Sequence, residues 1–185
     1  MKAAVPRIVF DDEAKKLVRV DQQSLLKYLK ELDVSDKMIS KLTIYINTKN
    51  HYGARGTTWP GFLARFRFGF LSNIRGPVVG LNLKVNRTIR DEADINRTLR
   101  HELVHVAQIG RLDWRLAVGW AMIGYGAVIG ITLGLVNYRL HLVFRIILAA
   151  ILGLNLYSFG YWYSPHERQA RKISETSKAK IVELV

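Results

Sequence analysis

The fold of this chain is decided by one stretch, residues 88–110, which read TIRDEADINRTLRHELVHVAQIG. Its apolar residues recur three and four positions apart, as one face of a helix requires: Ile95, Leu99, Leu103 and Val106. Thr88 and Asp91 have the spacing of a capping box, and glycine is common just past a helix end. The pattern therefore predicts a helix from Thr88 to Ile109 that ends at Gly110 and packs one face in the core.

This helix carries an HExxH motif, His101-Glu102-Leu103-Val104-His105. His101 and His105 are four residues apart and share one helix face, so both imidazoles can reach one ion. The chain has no cysteine, and neutral imidazole suits Zn²⁺. Glu102 projects about 100° away around the axis, where it can take a proton from zinc-bound water. The motif predicts His101 and His105 as zinc ligands and Glu102 as the catalytic base.

A catalytic zinc usually takes three protein ligands and keeps one position open, so a third ligand is expected elsewhere. Glu167 is the candidate, because it directly follows the second of two long apolar runs and returns to the side of the HExxH helix. Two alternatives stay open. In the first, Glu167 is not a ligand but forms a capping box with Ser164, with Pro165 at the first helical position. In the second, His166 is the ligand instead of Glu167.

Two apolar runs separate the motif from Glu167. Residues 116–136 contain no charged side chain, and residues 142–163 contain only Arg145. About 20 apolar residues span a bilayer as a helix, so the runs predict a transmembrane hairpin over 116–163. The hairpin divides the chain into a domain over 1–115, the hairpin and a C-terminal helix over 164–185. The alternative is a buried helical pair in a soluble protein.

The net charge of +13 points first to nucleic acid as a partner. The Lys and Arg residues before residue 116 are scattered, however, and acids lie between them. Anionic lipid attracts basic residues beside a membrane span, so membrane lipid is the expected partner and nucleic acid is disfavoured. The positive-inside rule then places 1–115 and 164–185 in the cytoplasm, because a hairpin leaves both on the side with most Lys and Arg.

The remaining stretches predict a small sheet beside the HExxH helix. Residues 24–32 have helical spacing, and residues 41–48, 62–71 and 78–85 have the character of strands. Residues 50–61 are rich in Gly and read as a loop. The strand 62–71 alternates Phe with Arg, a pattern that is also typical of base stacking, and as an edge strand it could receive an extended peptide. The fold class expected is α+β.

Two motifs in this order resemble known metallopeptidases. HExxH followed by the Glu-x-x-Ala of Glu167–Ala170 resembles the gluzincin arrangement, and the intervening spans resemble the HtpX and CAAX-prenyl-protease type. HELVHVAQ over 101–108 and PHERQA over 165–170 are similar to a bacterial family of small zincin-like domains with HExxHxxQ and a later Pro-x-Glu-x-x-Ala. The resemblance implies a zincin-like domain, zinc ligands His101, His105 and Glu167, the base Glu102, and a peptide or protein substrate.

One position departs from the HtpX pattern, which usually has Asp after the Ala of Glu-x-x-Ala, where this chain has Arg171. Such an Asp orients a metal-bound imidazole, so another group has to hold the ring here. The sequence assigns no group that stabilises the transition state. Candidates for that role are His51, Tyr52, Tyr163 and His166.

The expected function is that of a membrane-anchored zinc metalloendopeptidase. One alternative is a catalytically inactive, membrane-anchored zincin-like protein with a binding or assembly role. Another is a basic membrane-surface protein that binds nucleic acid and in which HExxH is accidental.

Overall fold

The computed structural model describes residues 4–49, 55–61, 64–65, 74–85, 87–110 and 165–185. The chain divides into two compact units, one formed by Met1–Arg111 with Ala170–Val185 and the other by Leu112–Gln169. The boundary at residue 170 falls inside one continuous helix, Pro165–Thr176.

Short helices lie between the first three strands in chain order, four further strands follow, and two longer helices come next, before a last strand. The strands are β1 Arg7–Phe10, β2 Val18–Val20, β3 Thr43–Asn47, β4 Gly56–Trp59, β5 Val78–Asn82, β6 Lys84–Val85, β7 Thr88–Ile89 and β8 Val182–Leu184. The helices of the described residues are α1 Ala14–Leu17, α2 Gln22–Glu31, α3 Asp36–Ile39, α4 Glu92–Gly110 and α5 Pro165–Thr176.

The main sheet has the order β1-β3-β5-β4. β1, β3 and β5 are parallel, with Ile8, Ile44 and Val79 in register, whereas β4 runs antiparallel to β5. β2 with β8 and β6 with β7 form separate antiparallel pairs. The described part of the chain is therefore a mixed α/β fold with a small mixed sheet.

Several predicted elements are confirmed. The helix expected over 24–32 is α2, and the strand expected over 41–48 is β3, whose five residues are all buried. The stretch 78–85 forms two strands, β5 and β6, on either side of Leu83. β-Branched and apolar residues dominate both stretches, as buried strands require.

Two predictions from local composition are wrong. Residues 56–59 form β4 instead of a loop, because pairing with β5 outweighs the turn signal of the nearby Gly and Pro residues. Ala64 and Arg65, expected in a strand, are helical, and the N–H of Ala64 donates to the carbonyl of Pro60 at 2.8 Å. The rest of the predicted strand 62–71 lies outside the described residues.

The start of α4 also differs from the prediction. Thr88 is extended and pairs with Val85 in β7, so it does not cap the helix. Asp91 caps it instead, since its Oδ1 accepts a hydrogen bond from the N–H of Asp94 at 2.6 Å and its carbonyl accepts from Ile95. The helix therefore begins at Glu92, four residues later than predicted.

The predicted apolar face of α4 is confirmed. Four of its side chains are fully buried: Ile95, Leu99, Leu103 and Val106. They pack in one core with buried residues of the sheet, of α2 and of α5, where Ala170 is fully buried. This packing fixes which side of α4 is left for the HExxH side chains.

The predicted membrane hairpin lies outside the described residues, as do Ser164, His51, Tyr52 and Tyr163. Within the ranges that the structure describes, no helix has the length and apolar character needed to cross a bilayer.

Candidate metal centre

α4 presents His101 and His105 side by side, one helical turn apart. Their Nε2 atoms are 3.2 Å apart, and the rings meet edge to face with centroids 4.8 Å apart. Both side chains are half-buried, so they lie at the border of the core, beside the apolar stripe. The Nε2 atoms of the two histidines are therefore close enough to bind one ion, as the helical spacing predicts.

Glu167 joins this pair from the first turn of α5. Its side chain is buried, with 4% exposure, and ligand atoms of His101, His105 and Glu167 all lie within 4.8 Å of one another. This His-His-Glu group can bind a metal ion. The three residues that the sequence predicts as ligands therefore lie close together in the structure. The group does not include His166.

The geometry of the two imidazoles fits zinc. Tetrahedral coordination with Zn–N bonds of about 2.0–2.1 Å places two ligand nitrogens about 3.3 Å apart. The separation of 3.2 Å between the two Nε2 atoms agrees with this value. Two imidazoles and a carboxylate are also an established ligand set of catalytic zinc sites, with the fourth position left for water.

Gln108 holds the ring of His105. Its Oε1 lies 2.7 Å from Nδ1 of His105, and the glutamine side chain is buried. An amide oxygen accepts a hydrogen bond, so Nδ1 carries the proton and Nε2 presents its lone pair. A hydrogen bond of this kind orients the ring of a metal-bound histidine.

Glu102 does not belong to the metal group, and its side chain packs against β4. Its side chain is 6% exposed, and its Oε2 accepts a hydrogen bond from the hydroxyl of Thr58 at 2.7 Å. Gly56 lies on the same strand, and a Cβ there would come within 2.7 Å of Cγ of Glu102. The strand therefore approaches the carboxylate closely only because residue 56 has no side chain.

Thr58 and Gly56 were missed by the sequence reasoning, which treated residues 50–61 as a loop. The available signal was the run Thr57-Thr58-Trp59, which is rich in strand formers. The contact between Thr58 and Glu102 joins residues 44 positions apart, so no local pattern could show it.

A charged network fixes the beginning of α4. Arg90 is buried and donates to the carbonyl of Asn82 at 2.7 Å and to Oδ2 of Asp94 at 2.7 Å. Arg55 and Arg97 also contact Asp94. Burial alone would raise the pKa of Asp94, but the hydrogen bonds from Arg90 and Arg97 and the nearby positive charges outweigh it and lower the pKa to about 2.

Arg100 links α4 to the chain at the end of α5. Its Nε donates to the carbonyl of Ser174 at 3.1 Å, and its Nη1 donates to the carbonyl of Ala179 at 2.7 Å. Together with the buried Ala170, these bonds fix α5 against α4.

Comparison of the chain with known protein families, with curated proteins and with solved structures finds no match. The geometry of the His-His-Glu group is therefore the main indication of function.

Proposed function

We propose that this protein is a membrane-anchored, zinc-dependent metallopeptidase. The observation that supports the proposal is the convergence of His101, His105 and Glu167, with an acid at the second position of HExxH. In this proposal the described domain is zincin-like, residues 116–163 are the membrane anchor, and the site lies on the cytoplasmic side. Helix α4 carries two ligands and the base, and α5 returns the third ligand.

When bound, zinc would polarise the scissile carbonyl and make a coordinated water acidic at neutral pH. The protein's own groups do the rest. Gln108 keeps Nε2 of His105 unprotonated, so that this atom can act as a ligand. Glu102 accepts the proton of the attacking water and passes it to the leaving amine, which is general acid–base catalysis. Because Glu102 is buried, its carboxylate has little contact with bulk water, and the proton that it accepts is kept inside the site.

The sheet edge beside Glu102 offers a place for the substrate. Within the described ranges β4 pairs with β5 alone, and its Thr58 contacts Glu102. An extended peptide can add to such an edge through main-chain hydrogen bonds. The substrate class that fits is therefore a peptide or protein segment in extended conformation. This moves the peptide-binding edge from the predicted strand 62–71 to β4.

A second candidate function is that of an inactive, metal-binding assembly protein. It is favoured by the burial of Glu102 and by its hydrogen bond with Thr58, because a purely structural carboxylate would be held in the same way. The two candidates agree on the metal and differ on hydrolysis.

Metal content and peptide cleavage, measured together on four forms of the detergent-solubilised protein, separate the candidates. The unmodified chain should bind about one zinc and cleave members of a mixed peptide library. Glu102→Gln should keep the zinc and lose about 10²-fold or more of the cleavage rate. His105→Ala should lose both zinc and cleavage.

His166→Ala is the matched control, since His166 is a half-buried histidine next to Glu167 that does not belong to the metal group. Its zinc content should equal that of the unmodified chain. Cleavage by Glu102→Gln at the unmodified rate would contradict the peptidase mechanism. Zinc binding without cleavage of any library member would favour the assembly protein.

A further inference from the structure

Thr58 makes two close contacts with one residue of the HExxH helix. Its Oγ1 lies 2.7 Å from Oε2 of Glu102 and 2.9 Å from the carbonyl oxygen of the same residue. A hydroxyl has one proton to donate, and an ionised carboxylate is the stronger acceptor. The proton of Thr58 is therefore directed to Glu102, with the carboxylate favoured.

Gly56 contacts the same carboxylate from the same side. Residues two apart on a strand point to one face, so Gly56 and Thr58 both face α4. A Cβ at Gly56 would lie 2.8 Å from Oε1 of Glu102 and 2.7 Å from Cγ2 of Thr98. One strand thus touches both carboxylate oxygens, with a hydroxyl at Oε2 and bare backbone beside Oε1.

These contacts restrict a side chain that is otherwise adjustable. Glu has three rotatable side-chain bonds, and burial alone does not select one rotation of its carboxylate. Misplacement of a reacting group by about 1 Å can cost about 10²-fold in rate. A base that must reach one water molecule therefore gains from a fixed partner on a rigid strand.

We infer that Thr58 is a positioning residue that holds the Glu102 carboxylate in its proton-accepting orientation through the hydrogen bond at Oε2. The inference rests on the proposed function, since it assigns Glu102 the role of base. The side chain of Thr58 acts through Glu102 and belongs neither to the metal group nor to the main-chain hydrogen bonds proposed for the substrate. Its loss should lower kcat and leave KM and zinc content unchanged.

The variants Thr58→Val and Thr58→Ser test the hydroxyl, because valine keeps the shape of threonine without a donor and serine keeps the donor. Thr58→Val should lower kcat about tenfold or more, and Thr58→Ser should stay within about threefold of the unmodified chain. Thr88→Val is the matched control, as Thr88 is an exposed strand threonine that lies outside both the metal group and the proposed peptide-binding strand. It should leave kcat unchanged.

A double variant separates positioning from a general loss of structure. If Thr58 acts through Glu102, then Thr58→Val combined with Glu102→Gln should cleave at the same residual rate as Glu102→Gln alone. A further drop of similar size in the double variant would show an independent role and overturn the inference. Zinc content and thermal unfolding, measured on every variant, identify any form that has lost its fold.

The outcomes distinguish this inference from the proposed function. Equal kcat for Thr58→Val and Thr88→Val, in a protein whose cleavage depends on Glu102, would overturn the role of Thr58 alone. A zinc-loaded protein without any cleavage would overturn the proposed function, and the catalytic role of Thr58 with it. Rescue by serine together with non-additivity in the double variant would support both.

Discussion

The N-terminal half of α4, Glu92–Arg100, and its C-terminal half, His101–Gly110, both bury polar side chains, and the partners of those side chains differ. In the first half, Asn96 bonds to the backbone of Ile181 and Val182, and Asp94 bonds to surrounding arginines. In the second half, His101, His105 and Gln108 contact one another and the two histidines lie close to Glu167, whereas Glu102 bonds to Thr58.

The difference shows how one helix can serve as both scaffold and site. Polar groups whose bonds are all made within the fold add stability, because breaking them leaves buried donors or acceptors unsatisfied. Two Nε2 atoms and a carboxylate are all electron-pair donors. Without a cation between them, their proximity adds little to the stability of the fold. We therefore expect substitutions of Asn96 and Asp94 to change stability, and substitutions of His101 and His105 to change metal binding.

The largest effect is expected from Asn96→Leu. Three hydrogen bonds join Asn96 to Ile181 and Val182, and the substitution leaves those backbone groups buried without partners. The free energy of unfolding, measured by urea denaturation, should fall by about 3 kcal/mol or more. Zinc per folded chain should stay unchanged, and loss of zinc at full folding would break the comparison between the two halves.

Asp94 should make stability depend on pH at acid values. Its folded pKa is about 2, below its ordinary value of 3.8, so the folded state holds the charged form more strongly. The stabilisation is complete above about pH 4 and is lost as the pH falls towards 2, because protonation breaks the pairs with Arg90 and Arg97.

After allowance for screening by water, the loss should be about 1–2 kcal/mol. Unfolding measured between pH 5 and pH 2 should therefore show a steeper fall for the unmodified chain than for Asp94→Asn. Parallel curves for the two proteins would show that Asp94 contributes nothing to acid sensitivity.

The smallest effect is expected at Asn47, which sharpens the comparison with Asn96. Asn47 ends β3 and is 7% exposed, and among the described residues its Oδ1 has no hydrogen-bond partner. Replacement by valine removes a buried unsatisfied acceptor, so the free energy of unfolding should stay level or rise by up to about 1 kcal/mol. A loss as large as that of Asn96→Leu would show that a buried asparagine is needed there for another reason.

Local patterns predicted the parts of the fold that depend on periodicity. The buried stripe of α4 and the strands β3 and β5 follow from spacing and from β-branched content, and the grouping of His101 and His105 follows from a separation of one turn. Such features depend only on residues that are close in sequence, so the sequence alone is enough to predict them.

The features that the patterns missed depend on contacts between distant residues. β4 exists because it pairs with β5, and Asp91 rather than Thr88 caps α4 because Thr88 is drawn into pairing with Val85. The hydrogen bond between Thr58 and Glu102 likewise could not be predicted without knowing that β4 packs against α4. Gln108 was visible in the motif, but its role became clear only from the 2.7 Å contact with His105.

The central claim is that His101, His105 and Glu167 hold one zinc ion. X-ray absorption at the zinc edge, recorded on the zinc-loaded full chain and on its Glu167→Gln variant, tests it most directly. The account predicts two imidazoles with Zn–N distances of about 2.0–2.1 Å in both proteins, and a carboxylate oxygen at about 2.0–2.2 Å that is lost or lengthened in the variant. Identical spectra for the two proteins, or a zinc ion without imidazole ligands, would contradict it.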